Sequence, residues 1–228
     1  MILELVTSEY FATNCWIFAQ GKGSECFIVD PGVTMPNMVA AIDEVIHKHR
    51  LKPVATVVTH GHIDHTYSVN AFDEQYNVTT FIHPKDRPFL SDPMAILSPG
   101  TASLPIFADL VPKSFQEPGE VKELTDRATL TLAGFSLHVR HAPGHTPGST
   151  VFVVDDQYLI AGDVLFHNSI GRTDLPQGSM PAMKKTLSTV ILELADELVV
   201  LPGHGKETTI GKERKNNEFL HERFLKER

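Results

Sequence analysis

Val54-Ala55-Thr56-Val57-Val58-Thr59-His60-Gly61-His62-Ile63-Asp64-His65 is the stretch on which the fold turns. Residues 54 to 58 form a continuous apolar run, the pattern of a strand buried on both faces. Three imidazoles and a carboxylate follow at once. Polar groups are costly at a buried strand end unless they are partnered, and strand ends are where α/β sheets build ligand sites. Three further segments repeat the arrangement: Pro143-Gly144-His145-Thr146, Ala161-Gly162-Asp163 and Pro202-Gly203-His204-Gly205. Seven potential ligands, His60, His62, Asp64, His65, His145, Asp163 and His204, therefore come from four strand ends. They are enough for two metal ions.

In an extended segment His60 and His62 project to the same side, so both imidazoles can reach one ion. Asp64 and His65 come where the next helix begins, which turns them away from that pair and sets a carboxylate near a positive helix end. They suit a neighbouring ion. Asp163 has two oxygens and can bridge two cations. Imidazole and carboxylate without thiolate fit zinc, iron or manganese. Two such ions about 3.5 to 4 Å apart lower the pKa of a shared water toward neutrality and polarise a carbonyl, which points to hydrolysis by a metal-bridging hydroxide. No G-x-S-x-G elbow, P-loop or dinucleotide glycine fingerprint offers a different mechanism. A lone histidine is usually a surface or satisfied core residue, and His47, His49, His83, His138, His141, His167 and His221 are read that way.

The 228 residues can bury one substantial core, and we read 1–228 as a single domain. A formal charge of −8 with no basic run before the C-terminal tail argues against nucleic acid as a partner. No run of 18 apolar residues spans a bilayer, and the first residues lack the basic flank of a secretory signal, so a cytoplasmic location is expected. Cys15 and Cys26 lie in apolar stretches and are expected to be buried and free. Strands are expected at 2–7, 14–19, 25–30, 54–58, 79–82, 128–133, 135–140, 149–154, 157–160 and 198–201. Helices are expected from Pro36 to the residues before Pro53, over 67–76, over 180–194, and over a charged tail at 213–228. Seven of the fifteen prolines fall between Pro84 and Pro118, so 84–120 reads as an irregular insertion, either a lid or a plain surface loop.

At these residues the chain resembles the metallo-β-lactamase superfamily, whose H-x-H-x-D-H signature is met by His60, His62, Asp64 and His65. His145, Asp163 and His204 fall in the family's order, so the resemblance covers nearly the whole chain. It implies an α/β fold of the four-layer αββα type with a binuclear site at one edge. His60, His62 and His145 would bind the first metal, Asp64, His65 and His204 the second, and Asp163 would bridge them. The resemblance implies two divalent ions per chain, zinc first with iron or manganese as alternatives, and a catalytic role for Asp64 and Asp163.

Gly162-Asp163-Val164-Leu165-Phe166, Ser169-Ile170-Gly171-Arg172-Thr173-Asp174 and Thr208-Thr209-Ile210-Gly211 resemble the glyoxalase II branch, particularly its short single-domain members. That branch hydrolyses hydroxyacylglutathione thioesters such as S-lactoylglutathione, so the expected partner is a small-molecule thioester. A thiolate leaves near neutral pH without a strong proton donor. Arg172 matches a family position that contacts the glutathione glycine carboxylate, and Lys206 stands with it as a substrate-binding candidate. Asp174 and Lys206 occupy places where full-length members have tyrosines. The competing readings are a persulfide dioxygenase, which uses one iron held by two histidines and an aspartate, a lactonase of the same fold, and a noncatalytic binding module.

Overall fold

Alternation along each strand decides what the sheets bury. In Asn14–Ala19 the residues Trp16 and Phe18 face one way while Cys15, Ile17 and Ala19 face the other, and all five are buried. Such a strand must be covered on both sides, which requires layers. The computed structural model describes residues 1–97 and 115–226, and they form two six-stranded sheets stacked face to face with helices on the outer faces. The αββα expectation is met.

The first sheet runs in chain order through β1 (Ile2–Thr7), β2 (Asn14–Ala19), β3 (Glu25–Val29), β4 (Lys52–Val57), β5 (Thr79–Ile82) and β6 (Val121–Glu123). It opens as an antiparallel meander and turns parallel from β3 onward. The second contains β7 (Thr129–Leu132), β8 (Phe135–His141), β9 (Thr150–Val154), β10 (Tyr158–Gly162), β13 (Val199–Pro202) and β14 (Thr208–Thr209). A small hairpin, β11 (Leu165–Phe166) with β12 (Ser169–Ile170), stands apart. Parallel pairing of β3 with β4 and of β10 with β13 makes their C-terminal ends leave each sheet side by side.

Between the sheets Phe18 stacks on Phe27 at 4.8 Å, and Phe135 meets both edge-on at 5.7 and 5.8 Å. Each fully buried phenylalanine contributes about 1.5 to 3 kcal/mol of apolar transfer. Outside the first sheet lie α1 (Val39–His49) and α3 (Val69–Tyr76), preceded by the short α2 (Ile63–Thr66). Outside the second lie α4 (Met180–Thr189), α5 (Ile210–Asn216) and α6 (Glu222–Lys226). No helix among the described residues is long and apolar enough to cross a membrane.

Three expected boundaries move. Pro36 stands outside α1, because the Asn37 side chain takes the Val39 N–H at 3.0 Å and Ser68 takes that of Met38 at 2.7 Å, fixing the start later. The helix expected over 180–194 ends at Thr189 and gives way to a 3-10 turn over Ile191–Glu193. The tail is no continuous helix from Glu213. Glu213 is buried, accepting from Thr208 and the Asn168 N–H, and Asn217 breaks the run by capping a 3-10 turn at Glu218–Leu220. Leu220 nevertheless docks, with Phe219 and Phe224 against the same cluster. Of the 84–120 stretch, Arg87–Leu90 and Pro93–Ile96 are 3-10 turns, while the lid question for 98–114 lies outside the described residues. Strands β6 and β14 and the β11–β12 hairpin were not expected. Two or three residues carry too little periodicity to read.

Candidate metal centre

Four strand ends and one helix start deliver the site. His60 and His62 follow β4, Asp64 and His65 open α2, His145 follows β8, Asp163 follows β10 and His204 follows β13. Side chains up to 144 positions apart thus converge, and all seven sequence-predicted ligands are brought together. Ligand atoms of His60, His62 and His145 lie within 4.8 Å of one another, as do those of Asp64, His65 and His204. Asp163 faces both groups: Oδ2 stands 3.5 Å from His145 Nε2 and 3.4 Å from His204 Nε2, and Oδ1 stands 3.4 Å from His65 Nε2.

The outer nitrogen of four of the imidazoles is held by an acceptor. Nδ1 of His145 meets the Arg172 carbonyl at 2.7 Å, and Nδ1 of His204 meets the Phe11 carbonyl at 3.1 Å. A carbonyl only accepts, so both Nδ1 atoms carry a proton and both Nε2 atoms face inward. Nδ1 of His65 donates to Asp30 at 2.9 Å. Thr59 Oγ1 donates to Asp30 at 2.6 Å, which leaves it to accept from His60 Nδ1 at 3.0 Å. Imidazole nitrogens and carboxylate oxygens thus crowd one space. His65 Nε2 and His204 Nε2 are 3.3 Å apart, with Asp64 Oδ2 at 3.5 and 3.3 Å from them. His60 Nε2, His62 Nε2 and Asp163 Oδ1 are buried with no hydrogen-bond partner. His62 Nδ1 also lies 2.8 Å from His145 Nε2. Imidazole nitrogens and carboxylate oxygens gathered this closely, some of them without any partner, are complementary to cations, and the donor set fits metal ions.

The ionisation of the side chains reports the same demand. Burial alone would lower His65, but Asp64, Asp163 and Asp30 outweigh it and push it up to about 9. His204 behaves alike, pushed up to about 11 against burial by Asp163 and Asp64. Burial would raise Asp64 and Asp163, yet the surrounding histidines hold both below the usual carboxylate range. His60 and His62 are lowered, chiefly by burial and then by neighbouring imidazoles, His62 to about 3. One half of the site wants positive charge and the other offers neutral imidazole.

Two supporting carboxylates escaped the sequence reading. Asp30 follows β3 and holds His65 directly and His60 through Thr59; its signal was an acid at the end of the apolar run Cys26-Phe27-Ile28-Val29. Asp86, fully buried, accepts from the Gly61 N–H, the Thr146 hydroxyl and the Gly148 N–H. Glycines let these loops close in. A Cβ at Gly203 would collide with the Asp163 carboxylate and lie 2.7 Å from His65. Of the substrate-binding candidates, Arg172 lines the cleft above the site, whereas Lys206 is exposed and not among its lining residues.

Paired sheets in an αββα stack, with a histidine and aspartate nest at the strand ends, define a metal-binding enzyme class. The chain matches the metallo-beta-lactamase superfamily model over residues 9–204, and it belongs to that superfamily of metallo-hydrolases. Among curated relatives, an uncharacterized protein of Mycobacterium tuberculosis is 41% identical over 96% of this chain and 98% of its own. Hydroxyacylglutathione hydrolase GloC of Haemophilus influenzae is 30% identical over 96% of this chain and 98% of its own. Among solved structures, the BLEG-1 B3 metallo-beta-lactamase superposes with a TM-score of 0.80 at 31% identity, covering 96% of this chain and 99% of that one. TTHA1623 in a di-iron-bound form gives 0.76 at 28% identity, covering 95% and 100%.

Proposed function

We propose that this protein is a metal-dependent thioester hydrolase, chemically akin to an enzyme that cleaves S-lactoylglutathione. His60, His62 and His145 would hold one cation, Asp64, His65 and His204 a second, and Asp163 would reach both. Bound there, the two ions would ionise a water near neutral pH and polarise the thioester carbonyl. The carrying observation is the convergence of imidazole nitrogens and carboxylate oxygens into two complete donor groups, with buried atoms of His60, His62 and Asp163 left without partners. Support comes from a relative named as a hydroxyacylglutathione hydrolase and a similar structure described as di-iron-bound.

The remaining steps belong to the chain's own groups. Asp30, Thr59 and the carbonyls of Arg172 and Phe11 hold the imidazoles in orientation. Thr13 Oγ1 donates to Asp64 at 3.2 Å and steadies that carboxylate. Arg172 would contact the substrate from the cleft wall. The departing thiolate is stable near neutral pH and needs no strong proton donor.

The test is turnover of S-lactoylglutathione and related thioesters by protein loaded with zinc, iron or manganese, alongside elemental analysis. Cleavage with about two ions per chain is the expected result. One iron per chain with oxygen uptake on a persulfide would move the assignment to the dioxygenase. Failure on every thioester with every metal overturns it.

A further inference from the structure

The cleft that opens onto the converged side chains holds about 440 Å3, ample for a small molecule. Its non-ligand wall is mainly Phe11, Ile63, Leu97, Phe166, Ile170 and Leu175. Arg172 is the one lining residue with a permanent positive charge among the described residues, and its guanidinium is already taken. Nε and Nη2 form a two-pronged pair with the Asp174 carboxylate at 2.8 and 2.7 Å. A guanidinium fork so engaged has its best carboxylate-binding edge occupied. The fold therefore sets a floor of imidazoles and carboxylates beneath a mainly apolar wall whose one described cation is offset by its pairing with Asp174.

Resting on the thioester-hydrolase reading, we infer that the group flanking the scissile bond is apolar and uncharged. The substrate class is thioesters with an aliphatic or aryl flank, in preference to hydroxyacyl esters of a charged tripeptide thiol. Carboxylates of such a thiol would find, among the described residues of the wall, no hydrogen-bonding side chain but Ser169 and an Arg172 already paired with Asp174. An alkyl or aryl group instead removes water from Phe166, Ile170 and Leu175, a gain of about fourfold in kcat/KM per methylene buried.

Metal-loaded protein is offered two series: N-acetylcysteamine thioesters from acetyl to hexanoyl with lactoyl beside propanoyl, and acetyl thioesters of glutathione and of alkanethiols. In at least one series kcat/KM should climb about fourfold per carbon over the first few carbons, with lactoyl below propanoyl. Two flat series, or a lactoyl or glutathione ester in the lead, overturn the inference. Calorimetric binding of hexanoate against lactate reads the wall without any turnover. Hexanoate should bind at least about tenfold tighter, and equal affinities overturn the inference. A hexanoate preference in a protein that cleaves no thioester would leave apolar recognition standing and remove the assigned reaction.

Leu175→Asn, with fold and metal content checked, should flatten the carbon-number slope; an unchanged slope counts against the wall. Asp174→Asn, which frees the guanidinium, should raise kcat/KM for a succinyl thioester severalfold over wild type. A wild-type protein that already cleaves the succinyl ester as well as the butanoyl one refutes the neutralised-cation argument.

Discussion

The carboxylate of Asp86 accepts the backbone N–H of Gly61 at 2.8 Å, so a residue of the proline-rich stretch is tied to the peptide between His60 and His62. The same carboxylate accepts the Thr146 hydroxyl at 2.6 Å and the Gly148 N–H at 2.6 Å, beside His145. One buried acid thus sets the spacing between the loops carrying all three ligands of the first donor group. Burial pushes its pKa up even though these three donors and His145 pull it down.

Asp86→Ala leaves those donors facing a buried void. We expect a stability loss of about 3 kcal/mol in urea unfolding, and first-group metal affinity weaker by at least about tenfold in chelator competition. Asp86→Asn should fall between, because its amide presents a donor where a second acceptor is needed. Wild-type metal affinity in the alanine variant would show that the loops hold their spacing without Asp86.

Asp30→Asn addresses the other supporting acid. It breaks the charge-assisted bond to His65 Nδ1 while leaving a carbonyl for the Thr59 N–H, which Asp30 Oδ1 accepts at 2.8 Å. Removal of a carboxylate that orients a metal-ligating histidine costs about 10- to 100-fold in metal affinity. The loss should appear in the second donor group, so metal titration should become biphasic or stop near one ion per chain. A titration superposable on wild type would exclude the role.

How far the site was readable follows from what each residue signals. The seven converged side chains were legible because each is an ionisable residue at the end of an apolar run, where an unpartnered polar group is too costly to be incidental. Asp30 sits in an equivalent place, but a lone acid before Pro31-Gly32 also reads as an ordinary turn. Asp86 gave no signal. Its meaning lies in backbone N–H groups 25 and 62 residues away, which no local pattern encodes. The strand order of both sheets was likewise beyond periodicity, and the αββα layering came from the family resemblance. The tail misled because Glu213 looks like a solvated charge and is instead a buried acceptor for Thr208, Asn168 and Asn217.

Acid sensitivity should trace in part to His83. Its buried ring stacks on His141 with centroids 4.1 Å apart and planes within 7°. Burial first, then His141 and Lys85, lower its pKa to about 4, with Asp126 opposing. Between about pH 6.5 and pH 4 the unfolded chain binds a proton that the folded chain refuses, so stability falls as pH falls through that window. The contribution at pH 4.5 is about 2 kcal/mol. His83→Gln removes it, and the decline in unfolding free energy from pH 7 to pH 4.5 should be shallower by that amount. Parallel declines for the two proteins would assign the acid sensitivity elsewhere.

Two glycines flanking His204 separate site geometry from backbone strain. Gly203 has no positive φ, but a Cβ there would collide with the carboxylate of Asp163 and press on the ring of His65. Gly205 has φ of +76° and open space within 4 Å of where a methyl group would stand, so alanine there is strained but touches nothing. Gly205→Ala should cost about 1 kcal/mol of stability and keep wild-type metal content. Gly203→Ala should displace Asp163 from between the donor groups, so metal content should fall below that of Gly205→Ala even where the two unfold at similar urea concentrations. Equal metal content in the two variants would mean that Asp163 can move aside without loosening the site, and its placement between the two donor groups would then carry no binding role.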